Sequence, residues 1–156
     1  HYLPEDMPIE VFVPRPDVPD GAALQEAARR AFMAWEEAAP DIVDFAFVEQ
    51  PEADALAVVW KELGGSKAGS YRYAYSVLPG SIYRYRATEV WLDPRFGRED
   101  TFRFALLEVG HALGLFGRSP FRGDALSQVP SGEISARDVA TLRALYGVPS
   151  GTVVNR

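Results

Sequence analysis

Glu108 and His111 stand three residues apart in the run Phe104 to Pro120, FALLEVGHALGLFGRSP. At about 100° per residue, a helix places Leu107, Glu108 and His111 within about a third of its circumference. A carboxylate and an imidazole on one helix face are the types that serve a metal ion. The imidazole ligates, and the carboxylate takes a proton from metal-bound water. Gly114 is a natural stop for such a helix. As a bare pair, Glu-x-x-His is common on helices, and an imidazole is readily satisfied by ordinary hydrogen bonds. Glu108 asks for more, because a carboxylate buried without a cation or donors is costly.

The rest of the chain bounds what such a site could serve. The 156 residues suit one domain, residues 1–156, with a core of its own. Apolar residues make up 47% and aromatics 12%, a composition that argues against a disordered chain. A formal charge of −6 disfavours nucleic acid as a partner. The absence of cysteine removes disulfides, thiolate metal sites and thiol nucleophiles. No apolar run approaches the ~20 residues of a membrane span, so membrane insertion is not expected. The chain opens on His1 with no signal-peptide pattern and reads as a piece of something longer.

The elements that must position Glu108 and His111 follow from hydrophobic period. Pro8 to Pro14 alternates like a half-buried strand. Leu24, Ala27, Ala28, Ala31, Phe32 and Trp35 repeat at helical spacing, in a helix ending near Ala39 and Pro40. Val43 to Val48 and Ala53 to Trp60 read as strands. Tyr71, Tyr73 and Tyr75 alternate in a further one. Ile82 to Leu92 is the last strand, with Tyr83, Tyr85, Ala87, Glu89 and Trp91 on one side. Asp100 or Thr101 can cap the central helix, whose Phe102, Ala105, Leu106, Val109 and Leu113 form a buried face. A final helix starts at Ser135, with Asp138 completing a capping box, and ends at Gly147. Residues 150–156 read as a loose tail. A strand, a helix and a returning strand favour a mixed sheet, so the expected fold is α/β (α+β) with about five strands and three helices.

The run around Glu108 resembles the zinc-binding helix of the metzincin proteases, most closely the matrixin-like bacterial branch. Their pattern is His-Glu-x-x-His-x-x-Gly-x-x-His, and some members continue with Ser-Pro. Glu108, His111, Gly114 and Ser119-Pro120 match it. The first ligand position is Leu107, and the third is Gly117 or Arg118 depending on register: some bacterial members carry one extra residue before the third His, and Arg118-Ser119-Pro120 lines up best with their His-Ser-Pro. The resemblance extends over almost the whole chain, through the closing SARDVATLRALYG, and implies a zincin-like catalytic-domain fold. In the family three imidazoles and a water hold zinc. Leu107 cannot ligate, and an arginine repels the ion. The only histidines are His1 and His111, so one copy of the chain cannot assemble three. The family's Met-turn, Asp-Val-Met-Tyr, is matched by Asp124-Ala125-Leu126-Ser127, without the methionine or the tyrosine.

Four changes, at Leu107, Arg118, Leu126 and Ser127, imply a catalytically inactive pseudoprotease. No metal is expected, Glu108 is a vestigial general base, and Arg118 is expected to reach back and pair with it. The Tyr71, Tyr73 and Tyr75 strand corresponds to the family's edge beside the cleft. There an extended peptide or protein could add as a further strand, although cross-strand packing alone also explains the tyrosines. Two alternatives stand beside this reading. One is an active metalloendopeptidase, holding zinc through His111, Glu108 and Asp124 or borrowing His1 from a neighbouring copy. The other is a structural domain of a larger secreted protein. The resemblance implies a place outside the cytoplasm.

Overall fold

A computed structural model describes residues 1–2, 4–51, 54–78 and 82–149, with side chains 75–78 and 82–85 left aside. The expected loose tail, residues 150–156, lies outside the described residues. After a short 3-10 turn at Pro4–Asp6 come β1 (Ile9–Phe12), α1 (Gly21–Ala38), β2 (Phe45–Val48), β3 (Leu56–Trp60), β4 (Gly69–Leu78), β5 (Ile82–Leu92), α2 (Arg98–Ala112) and α3 (Ala136–Tyr146). The five strands form one mixed sheet in the order β2-β1-β3-β5-β4. Its first four strands run parallel, and β4 is an antiparallel edge. This is the mixed α/β architecture expected. Among the described residues no helix is long and apolar enough to cross a membrane.

The strand ends differ from the alternation pattern because pairing, not polarity, sets them. Ile9 and Val11 are buried and face Phe45 and Leu56 in register, while Val13 is buried just beyond the ladder. In β5 the register passes from Arg72 opposite Glu89 to Tyr73 opposite Ala87, skipping Thr88. This bulge reverses the faces. Ala87 is buried, and so are Val90 and Leu92, so Ala87 does not share a side with Glu89 and Trp91 as expected. The Tyr2 hydroxyl satisfies the backbone there, donating to the Ala87 carbonyl (3.2 Å) and accepting from its N–H (3.1 Å).

Helix α1 packs against α2 and β2, and α2 lies against β5 and β4. Phe32 and Trp35 are wholly buried, each worth roughly 1.5–3 kcal/mol of apolar transfer. The Trp35 indole donates to the Leu106 carbonyl at 2.8 Å, fixing α1 against the helix that carries Glu108 and His111. The cap of α2 is not the one expected. Gly97 occupies the N-cap without a side-chain bond, and Glu99 and Asp100 complement the helix dipole in the first turn. Thr101 instead donates to the Phe96 carbonyl at 3.4 Å. In α3 the capping box forms as read: Ser135 Oγ accepts from Asp138 N (3.1 Å), and Asp138 Oδ2 accepts from Ser135 N (2.8 Å).

Candidate functional site

Helix α2 ends in a turn that aims His111. Gly114, at φ +98°, bonds its N–H to the His111 carbonyl (2.9 Å), and Leu115 bonds back to Gly110 (3.1 Å). This is a Schellman motif, and only glycine enters that backbone region without strain. It folds Leu115 over the helix, so that its carbonyl accepts from His111 Nδ1 at 2.7 Å. A carbonyl can only accept, so Nδ1 carries the proton and Nε2 the lone pair. His111 is 5% exposed, and burial pushes its pKa down, so the ring is held neutral.

Strand β4 runs beside this helix in step with it. Gly69 lies over Glu108: a Cβ there would stand 2.7 Å from Glu108 Cγ and 3.0 Å from Oε1. Two residues on, the Tyr71 ring stacks on the His111 imidazole, with centroids 5.0 Å apart and planes at 30°. Tyr73 stacks on Tyr71 at 5.9 Å, and Phe116 meets both rings, at 6.3 and 5.8 Å. Tyr73 and Phe116 remain about half exposed, so the cluster presents an aromatic surface at the sheet edge. The side chain of Tyr75 lies outside the described residues, although its backbone pairs with Tyr85 in β4 and β5.

Glu108 is 3% exposed, and burial pushes its pKa up to about 7 despite the charges of Arg118 and Lys67. Among the described residues it has no hydrogen-bond or ion-pair partner. The expected Glu108–Arg118 ion pair does not form. Arg118 instead donates from Nη1 to the Ser127 carbonyl at 3.2 Å, and its charge reaches Glu108 only at longer range. The loop geometry decides this. Ser119 N bonds the Leu126 carbonyl (2.8 Å), which brings the Arg118–Ser119 segment alongside Ser127. Glu108 lines a cavity of about 320 Å³ with Lys67, Gly69, Phe104, Arg118 and Val129.

The 124–127 turn is a built wall. Asp124 is buried and accepts from Ser119 Oγ (2.5 Å), Ser135 Oγ (2.8 Å) and Arg137 Nε (3.0 Å). The Arg137 guanidinium, with the two hydroxyls, holds its carboxyl down at about 2. Leu126 passes under α2, its Cδ2 3.0 Å from where a Cβ on Gly110 would stand. Ser127 donates its hydroxyl to the Val129 carbonyl.

These positions can be tested against a zinc site. Leu107 is a fully buried member of the core, Arg118 carries a cation, and Asp124 is turned to α3 and the Ser119 loop rather than to His111 and Glu108. Among the described residues no three His, Cys, Asp or Glu side chains converge to hold a metal ion. The residues present do not fit a three-ligand zinc centre, nor the alternative built on His111, Glu108 and Asp124. Sequence reasoning missed Phe116, Lys67 and Val129. An aromatic just beyond the helix-stopping glycine was the one available signal for Phe116.

No protein-family model matches the chain. The chain is similar to the hatching enzyme of Paracentrotus lividus, 26% identical over an alignment 148 residues long that takes in 83% of this chain. It spans about a quarter of that protein's length (23%). The likeness is distant.

Proposed function

We propose that the chain is a metzincin-like domain of matrixin type that has lost its zinc site and binds an extended peptide or protein segment without cleaving it. The carrying observation is the state of the three ligand positions. One is a core leucine, one an imidazole roofed by Tyr71, and one a guanidinium tied to the Ser127 carbonyl. The mixed sheet with its antiparallel edge β4 and the distant likeness to a hatching enzyme support the metzincin-like part of the reading. The position of β4 at the edge of the sheet, beside Tyr71, Tyr73 and Phe116, supports the binding part. A peptide added to β4 gains main-chain hydrogen bonds, and the aromatic rings take its side chains.

The residues that remain can bind and shield, but they do not assemble hydrolysis. A base needs a water poised beside an electrophile-activating group. Glu108 shares its cavity with Lys67 and Arg118, cations that do not lower the pKa of a bound water as a zinc ion would, and an uncharged Glu108 has no base to offer below its raised pKa.

Elemental analysis after zinc exposure tests the reading, beside a Leu107→His/Arg118→His double variant. An empty native chain and a double variant holding one zinc per molecule are the expected result. Stoichiometric zinc in the native chain, with chelator-sensitive peptide cleavage, would overturn it.

A further inference from the structure

Glu108 presents a second question, because a carboxyl so deeply buried and, among the described residues, without a partner lines a cavity open to ligand. The cavity's other charged groups are both cations. Lys67 comes from the turn before β4 and Arg118 from the loop after α2, and both side chains are exposed at the mouth. The site therefore carries an excess of positive charge even with Glu108 ionised, in a protein whose formal charge is −6. Its uncharged lining includes Gly69, at the start of the β4 edge, the polar Ser66 and Gln128, and the apolar Phe104 and Val129. Val129 is 73% exposed, an apolar side chain left at the rim.

We infer that this cavity is a side-chain subsite for an acidic residue of the peptide that adds to β4, its carboxylate lying between Lys67 and Arg118 with the Glu108 carboxyl at the floor. The inference rests on the β4-edge reading above and gives that reading its substrate class. Lys67 and the guanidinium donors of Arg118 not used on Ser127 supply charge-assisted hydrogen bonds. Glu108, when protonated, donates its O–H to the incoming carboxylate, so a single proton is shared between two carboxyl groups and no bond beyond hydrogen bonds is made. Gly69 makes the room: any side chain there would collide with Glu108 Cγ. A lysine or arginine side chain is disfavoured, because it would pass between two like charges before reaching Glu108.

The experiment uses blocked, fluorescently labelled octapeptides of alternating valine and threonine. A single Glu, Gln or Lys is moved through each position, and binding is read by anisotropy on the native chain. At one position Glu is expected to bind about tenfold tighter than Gln, the size of a charge-assisted hydrogen bond, with Lys weaker still. Lys67→Met, an exposed change whose fold is checked by circular dichroism, should reduce the preference for Glu over Gln several-fold, while Lys67→Arg should keep it. Equal affinities for Glu and Gln, or a preference for Lys, would overturn the subsite. If those peptides still lose affinity in Tyr73→Ala, the β4-edge reading stands without it. No binding by any peptide overturns both.

Discussion

The Tyr71 ring lies 5.0 Å from the His111 imidazole with the planes 30° apart, so the strand beside the cleft roofs the helix that forms its floor. The stack closes one face of the imidazole, while the Leu115 carbonyl holds its Nδ1 edge. The Tyr71 stack and the Leu115 backbone bond both orient the ring. Removing the roof should expose the ring. Tyr71→Ala is expected to raise the His111 pKa toward 6.5, because burial is what lowers it. It should also cost roughly 1 kcal/mol of stacking beyond the area lost. A proton-NMR titration of the imidazole and a urea melt check both.

Glu108 gives the stability a pH dependence of unusual sign. Its folded pKa, about 7, stands above the 4.5 of the exposed group. Between those values the unfolded chain releases the proton first, so stability falls as pH rises from about 4.5 to 7. A rise of that size corresponds to roughly 3 kcal/mol. Glu108→Gln removes this slope. The difference in urea stability between the two proteins should therefore grow in favour of the variant across that range, then level off. His111, with its depressed pKa, contributes to both proteins and cancels in the difference. A flat difference from pH 4.5 to 8 would count against the buried carboxyl.

Asp124 works in the opposite sense. Its pKa is held at about 2, so the stability it adds is complete above pH 3.8 and is lost as pH falls through 2. Asp124→Ala strands the Ser119 and Ser135 hydroxyls and the Arg137 guanidinium. A cost of roughly 2–3 kcal/mol is expected at pH 7, with Asp124→Asn intermediate. Hydrogen exchange should show the 118–127 segment opening first in the Ala variant.

Gly110 separates α2 from Trp35 and Leu126. An added Cβ would stand 2.8 Å from Trp35 Cζ2 and 3.0 Å from Leu126 Cδ2, both fixed by packing. Gly110→Ala should destabilise by about 1–3 kcal/mol through overpacking, despite the better helix propensity of alanine. The midpoint of urea unfolding, at unchanged slope, is the measurement.

Local features were legible in the sequence and long-range ones were not. The Ser135–Asp138 capping box spans four residues, and its chemistry is complete within them. The Gly114 stop and the Ile82 to Leu92 strand are likewise local patterns. At the bulge beside Thr88 the Ala87 backbone is met by a tyrosine hydroxyl 85 residues away, a contact no alternation reports. The Arg118 partner escapes the sequence for a similar reason. Charge favours Glu108, but the Ser119–Leu126 backbone bond places the Ser127 carbonyl nearer to hand. The face of α2 bearing Leu107, Glu108 and His111 was readable from spacing alone. That Leu107 would be core, and that Phe116 would fold back onto Tyr71 and Tyr73, required the loop's path.

The knot around Asp124 has a consequence for recognition. It ties the Ser119 loop, the 124–127 turn and the start of α3 with side-chain and backbone bonds of the protein itself. These bonds join the Ser119 loop, the turn and the start of α3 into one unit. Its conformational entropy is surrendered during folding, so an incoming segment has only its own freedom to lose. Under the peptide-binding proposal, affinity for an added segment is therefore expected to be unchanged by chelators, as a binding assay with and without chelator would show.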